Sequence, residues 1–403
     1  MFALLRKAYR LRVPNSLRLR LLRWMAGSAI REFPWALGAA GVVVIAALVA
    51  LGALSGWFGL LAVGALALWV LVCMRLALQT LASARGVREA LAELQPAAAE
   101  RRSRFPISHL VLPPLMLWPR GVRHRRGIEF ARYGRKSLQL DVYLPARPRG
   151  DELHPAVIQV HGGGWVAGSR REQGIPLLNH LAKHDWVGFN VDYRLSPRET
   201  FPEHIIDVKR AIAWVRGHAA EFGADPRFIC ITGGSAGGHL CALAALTAND
   251  PSFQPGFEEV DTSVAAAVPF YGVYDLTDEQ HVYYTELREW VLERYVFKAL
   301  IDDDPERFRA ASPTHRVHPQ APPFLVIHGD RDTLVPVEDA RRFVRELRAT
   351  SESPAFYAEL AGAEHAFDIL PSVRTARVVE AIERFLAAVR SQAGHVAEAR
   401  SIG

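Results

Sequence analysis

At 403 residues, half of them hydrophobic, the chain can build one large core and still carry an appendage. Its three cysteines, Cys73, Cys230 and Cys241, lie inside apolar runs without metal-ligand spacing, which excludes a disulfide scaffold and a cysteine-held metal and leaves buried thiols. The formal net charge of +6 is segregated: residues 1–126 hold 18 Lys/Arg against 4 Asp/Glu, and the remainder holds 30 against 38. A basic front could address nucleic acid, but the stretch that follows it points to lipid instead.

In chain order, residues 1–35 form a basic arm carrying Arg6, Lys7, Arg10, Arg12, Arg18, Arg20, Arg23 and Arg31. It is too long, and too far from a small-residue cleavage site, for an ordinary signal peptide. Residues 36–74 contain no charge, and Leu54-Ser55-Gly56-Trp57 is the one plausible break. The halves 36–54 and 57–74 are each about one bilayer crossing long, and Gly38, Gly41, Gly52 and Gly64 permit close helix packing. Arginines flank the pair on both sides, with Arg75, Arg85 and Arg88 after the second span. The expectation is a multi-pass transmembrane hairpin with both ends, and the domain that follows, on the cytoplasmic side. Residues 75–126 read as a helical, basic linker, in which 78–94 continues the helix. The apolar, proline-broken segment 105–119 suits the membrane interface or a cap over the next domain.

Near Gly127 the texture changes, and 127–393 reads as one catalytic domain followed by a tail, 394–403. Segments 128–133 and 138–144 alternate as paired strands around Gly134-Arg135-Lys136. Short apolar runs at 156–160, 187–191, 228–231, 265–271, 324–328 and 356–360 then alternate with helical stretches at 174–184, 202–222, 240–248, 337–350 and 373–393. Continuous apolar strands separated by helices predict a mostly parallel sheet covered on both faces.

The domain is organised around residues 228–240, where an apolar run meets Gly233-Gly234-Ser235-Ala236-Gly237-Gly238 and continues as a helix. Gly233-x-Ser235-x-Gly237 is the pattern of a nucleophile elbow, a strained strand-to-helix turn whose flanking residues must be tiny. The following helix would aim its free N–H groups at negative charge forming near Ser235. Three successive glycines in Val160-His161-Gly162-Gly163-Gly164-Trp165 let backbone N–H groups turn inward, as an oxyanion hole requires. A phosphate cradle is excluded, since no Gly-Lys-Ser/Thr follows and the spacing fits no dinucleotide fingerprint.

A serine hydroxyl needs a base, and the base an orienting carboxylate. Residues 324–336 read as a strand ending in the polar loop Gly329-Asp330-Arg331-Asp332, and 361–367 carries His365 among small residues. Both belong at the C-terminal edge of the sheet, beside Ser235. His365 is the expected base. Asp332 is preferred as the acid over Asp330, which suits the bonding of local N–H groups in its turn, and Glu364 should aim elsewhere. His161 is expected to brace the glycine loop and His239 to pack on its helix, whereas His124, His204, His218 and His281 read as surface residues. Asp302-Asp303-Asp304 reads as a solvated turn or helix start rather than a metal site.

Taken together, His161-Gly162-Gly163-Gly164-Trp165, Asp192-Tyr193-Arg194-Leu195-Ser196-Pro197, the serine motif and the loops holding Asp332 and His365 resemble the hormone-sensitive-lipase-like carboxylesterases of the α/β-hydrolase superfamily, over about residues 127–390. The resemblance implies an α/β-hydrolase fold with a cap region, no cofactor and no metal. It also implies Ser235 as nucleophile, His365 as base, Asp332 as acid, and Gly163, Gly164 and the N–H of Ala236 as the oxyanion hole. The sequence departs at Gly234, where much of that family has an acidic residue, and its Gly329-Asp330-Arg331-Asp332-Thr333-Leu334 loop is closer to esterases of the feruloyl and formamidase type. The front resembles that of certain envelope-associated actinobacterial esterases. The expectation is therefore a membrane-anchored serine carboxylesterase or lipase with an ester and a lipid bilayer as partners and no nucleic acid. Segment 275–312, with 105–119, is the expected cap, and Trp165 and Tyr271 the expected wall of the acyl pocket. Two rivals share the pattern: an amide hydrolase with the same triad, and a membrane protein that uses the scaffold without catalysis.

Overall fold

Alternating runs on either side of Gly134-Arg135 pair as an antiparallel hairpin of β1 (Val122–Tyr133) and β2 (Lys136–Pro145), with Tyr133 opposite Lys136. The computed structural model describes residues 14–52, 54, 56–92, 94, 121–147 and 153–402. The apolar runs become β3 (His154–Val160), β4 (Val187–Val191), β5 (Ala224–Gly234), β6 (Ala267–Phe270), β7 (Phe324–Gly329) and β8 (Ala355–Leu360). They assemble in the order β1-β2-β4-β3-β5-β6-β7-β8, antiparallel from β1 to β4 and parallel from β4 to β8. Every residue of β3, β4, β6 and β7 is buried, as a sheet covered on both faces demands.

The helices are α1 (Asn15–Glu32), α2 (Pro34–Ala50), α3 (Trp57–Ala90), α4 (Ile175–Lys183), α5 (Glu203–His218), α6 (Ala236–Leu246), α7 (Pro305–Ala310), α8 (Val337–Thr350) and α9 (Val373–Ile402), with a π-wound helix at Glu286–Phe297. Successive strand residues point to opposite faces: Ala156, Ile158 and Val160 join the core under α5, α6 and α8, while Val157 joins the one under α4 and α9. Both connections that matter for chemistry, after β3 and after β5, leave the same edge of the sheet because the two strands run parallel.

The front of the chain differs from the sequence reading in three places. The basic arm 1–35 contains α1, whose Leu17, Leu21, Trp24, Ser28 and Glu32 are buried. Arginines at the intervening positions hide that amphipathic stripe in a charge count. Within the supposed linker 75–126, α3 continues to Ala90 much as expected, but it docks on the domain rather than linking to it: Ser83 Oγ donates to the Ala361 carbonyl at 2.8 Å, and a Cβ on Gly86 would lie 3.0 Å from the Glu359 carbonyl. Strand β1 also begins inside that segment, while 105–119 lies outside the described residues. At the other end, α9 carries the backbone of 394–402 in helical form where a tail was expected.

In the uncharged stretch, α2 packs along α3 through small residues. A Cβ on Gly38 would lie 3.2 Å from Cys73 Cβ, and one on Gly41 3.0 Å from Val70 Cγ2. Other faces stay bare, with Val43 68%, Leu51 83% and Phe58 72% exposed. By length and composition α3 is sufficient to cross a membrane, and α1 and α2 together would be a second such element but for a 79° bend.

Candidate active site

Strand β5 ends at Gly234 and α6 begins at Ala236, so Ser235 alone makes the turn, at φ 57° and ψ −123°. A non-glycine residue with positive φ is strained and must be held by its surroundings. The hold is visible: Ser235 N donates to the Phe270 carbonyl at 3.0 Å, and its own carbonyl accepts from His239 N at 2.9 Å. A Cβ on Gly233 would lie 2.3 Å from the Gly237 carbonyl, and one on Gly237 2.2 Å from the Val160 carbonyl, so the motif's two glycines are steric necessities.

The glycine loop comes straight off β3. Gly163 (φ 121°) and Gly164 (φ 60°) turn the backbone so that neither N–H meets an acceptor among the described residues. The first N–H of α6, on Ala236, has no intrahelical acceptor. Gln173 Oε1 holds Gly162 N at 2.7 Å. His161 braces the loop as expected, with Nδ1 donating to the Gly162 carbonyl at 2.8 Å and its ring stacked on Tyr193 at 4.4 Å. Trp165 is buried and donates through Nε1 to His239 Nδ1 at 3.2 Å, and His239 Nε2 donates in turn to the Ala311 carbonyl at 2.8 Å. Burial lowers the His239 pKa to about 4, in keeping with a neutral ring that accepts on one side and donates on the other.

Three carboxylates divide the work in the two late loops. Asp332 Oδ2 lies 2.6 Å from His365 Nδ1, and Oδ1 accepts from Leu334 N and Val335 N at 2.8 Å each. His328 Nε2 is 3.3 Å from the same Oδ2. Burial pushes the Asp332 carboxyl up, but the facing His365 and His328 imidazoles outweigh it and hold the group well below its ordinary value. Asp330 accepts from Gly362 N at 2.6 Å, so it joins the loops without reaching the imidazole. Glu364, read from sequence as aimed elsewhere, accepts from Thr333 N (2.7 Å), Thr333 Oγ1 (2.9 Å) and His365 N (3.0 Å). With Nδ1 committed to Asp332, Nε2 is the imidazole nitrogen left for a substrate-side partner.

Ser235, His365, Gly163 and Gly164 line one cavity of about 110 Å³, together with Trp165 and Tyr271. The Tyr271 hydroxyl donates to Asp368 and its ring lies 4.6 Å from the His365 ring. A Cβ on Gly234 would meet that hydroxyl at 2.7 Å, so Tyr271 fills the space an acidic residue before the serine would need. From 275–312, Tyr284, Leu287, Val291 and Tyr295 add an apolar wall.

Sequence reasoning missed the contribution of α1. Leu17, Leu21 and Trp24 line the cavity, and Trp24 Nε1 donates to the His365 carbonyl at 2.7 Å. The signal was present as an i, i+4, i+7 stripe. His204 also differs from its reading as a surface residue: it is fully buried, with Nε2 3.0 Å from Ser196 Oγ, and burial lowers its pKa to about 3. Asp304 caps α7 by accepting from Arg307 N, as a helix start should. Away from the cavity, His180, His184 and Glu383 bring ligand atoms within 4.8 Å of one another.

Sheet order and serine elbow define an α/β-hydrolase. Residues 140–347 match the BD-FAE family, and the chain belongs to it. It is 50% identical over 272 residues to the probable carboxylic ester hydrolase LipM of Mycobacterium tuberculosis, covering 67% of this chain and 62% of that protein. It is 48% identical over 273 residues to the esterase LipC of the same organism, covering 66% of each. The match thus spans somewhat less than two thirds of these relatives' length. Among solved structures, a thermophilic esterase from Thermogutta terrifontis with butyrate bound superposes with a TM-score of 0.56 at 28% identity, covering 69% of this chain and 96% of that one.

Proposed function

We propose that this chain is a membrane-anchored serine hydrolase of carboxylic esters. The observation that carries the reading is the 2.6 Å contact of His365 Nδ1 with Asp332 Oδ2, where His365 lines a cavity together with Ser235 and with Gly163 and Gly164, whose amides meet no acceptor among the described residues. Asp332 fixes the proton on Nδ1, so Nε2 takes the Ser235 proton as Oγ attacks the ester carbonyl. The oxyanion is met by the N–H groups of Gly163, Gly164 and Ala236, each donor being worth about 2.7–4 kcal/mol of barrier in comparable sites. The alcohol leaves with the proton from His365, and water, deprotonated by the same imidazole, releases the acyl group from Ser235. An ester is favoured by the names of the relatives, and an acyl group by the apolar lining. A cavity of about 110 Å³ approaches the ~150 Å³ that holds a benzene, the scale of a short acyl chain.

The anchor is the hairpin of α2 and the first half of α3. At 17 residues α2 is about 25 Å long, close to the ~30 Å of bilayer hydrocarbon. Its Val42, Val43, Val44 and Val49 are exposed. Arginines at both ends favour the cytoplasmic side for the hairpin ends and the catalytic domain. The test is Ser235→Ala in the full chain reconstituted in vesicles. Turnover of p-nitrophenyl butyrate should fall by about 10⁶-fold, while flotation with the vesicles is unchanged. Retained turnover overturns the assignment of the nucleophile.

A further inference from the structure

Helix α1 has two apolar faces, and the described residues cover only one. Leu17, Leu21 and Trp24 turn inward, onto the cavity and His365. On the opposite side, at the same helical spacing, stand Leu19, Leu22, Ala26 and Ala29, all exposed; Leu19 is 55% and Leu22 43% exposed, without cover among the described residues. Arg18 and Arg23 flank this outer stripe on its two sides. An apolar stripe bordered by arginines is the pattern of a helix that lies in the plane of a membrane surface, where the arginines meet anionic headgroups.

The direction of α1 fits that pattern. Only Phe33 separates it from α2, and the two axes meet at 79°. If α2 crosses the bilayer, α1 is laid along its surface. We propose that α1 lies flat on the bilayer that takes the hairpin, with Leu19, Leu22, Ala26 and Ala29 in the interface, so that one helix is both the roof of the acyl cavity and its contact with lipid. Esters dissolved in the membrane then reach the cavity past the edge of α1 without crossing water. This rests on the membrane reading of the hairpin given above.

The test uses the full chain in vesicles of phosphatidylcholine and phosphatidylglycerol. The native cysteines are buried, so Leu22→Cys can carry an environment-sensitive fluorophore. Its emission should shift to the blue and be quenched by lipids brominated high on the acyl chain, whereas a label at Glu221→Cys, on the exposed surface of the domain, should not respond. A second variant, Leu19→Glu with Leu22→Glu, should lower turnover of a long-chain ester embedded in the vesicles at least fivefold relative to turnover of water-soluble p-nitrophenyl acetate. A chain that floats with vesicles but leaves the Leu22 label unquenched, or a rate ratio unchanged in the double variant, overturns the proposal. A wild-type chain that does not float overturns the membrane reading instead.

Discussion

Helices α6 and α2 are both built mostly of small and aliphatic residues, Ala, Gly and Leu in the first and Ala, Gly, Val and Leu in the second, yet one is wholly buried and the other mostly exposed. Every residue of α6 is covered by β5, β6, α5 and the segments around them, whereas only Pro34 and Gly41 of α2 are buried. Apolar composition thus demands a cover without naming it. For α6 the cover is supplied by parallel strands that leave no water on either face. For α2 it comes from α3 along one side and, on the reading proposed above, from lipid on the rest.

The sharpest way to break this contrast is to place the same charge in both helical settings. Leu240→Asp, in fully buried α6, strands a carboxylate with no partner and should leave no folded protein, since such burial costs several kcal/mol. Leu68→Asp, at a position of α3 that is 63% exposed, should leave the detergent-solubilised protein's melting temperature within about 2 °C, as surface changes do. In vesicles the second variant should instead lose membrane partition, because an Asp at mid-helix costs about 2.5–3.5 kcal/mol to insert. Thermal unfolding in detergent and vesicle flotation read the two effects. Equal destabilisation of both variants would mean that the hairpin is covered by protein after all.

A smaller effect is expected where the front of the chain meets the domain, since there the cover is specified by polar pairing. Glu32, at the end of α1, pairs with Arg374 of α9 and accepts from Ser372 Oγ at 2.6 Å, and both charged side chains are essentially inaccessible. Arg374→Met alone should cost about 3–5 kcal/mol by leaving a buried carboxylate unpaired. The double change Glu32→Leu with Arg374→Met should recover most of that loss, because a buried pair is replaceable by apolar volume. Urea midpoints of the two variants decide it. A double variant as unstable as the single one would show that the pair contributes more than mutual neutralisation.

Local requirements explain what could be read in advance. The elbow and the glycine loop were legible because backbone geometry there admits only glycine, so Gly233, Gly237 and Gly163 record the fold in their identity. Asp330 was set aside as the acid because a Gly-Asp turn has a local use for its carboxylate; in the structure that carboxylate instead accepts from Gly362 N in the neighbouring loop, which also keeps it from the imidazole. By contrast, the inward stripe of α1 depends on a partner more than 300 residues away, the His365 carbonyl that Trp24 reaches. The stripe itself is legible near residue 24, but not the surface that it covers. Glu364 aims away from the imidazole, as its adjacency to His365 led one to expect, but what it aims at was not legible: its side chain is drawn across to Thr333 by N–H and hydroxyl donors on another loop.

The covered interior also holds one carboxyl whose charge can be switched by pH, the mildest probe of the same contrast. Asp339, in the first turn of α8, accepts on Oδ2 from Tyr274 N at 2.6 Å and from the Tyr283 hydroxyl at 2.5 Å. Burial outweighs these donors and pushes its pKa from 3.8 up to about 7. The folded chain therefore keeps a proton that the unfolded chain releases near the ordinary carboxylate value. Between those two points unfolding releases the proton, so the contribution is fully present below the lower value and is lost as pH rises through about 7. Asp339→Asn keeps an oxygen to accept both bonds and cannot ionise. Its stability relative to the wild type should therefore improve steadily from about pH 5 to about pH 7 and level off beyond, as read from urea midpoints in detergent. A difference that stays constant across that range would show Asp339 ionised throughout, with the two tyrosine donors outweighing the loss of water around the carboxylate.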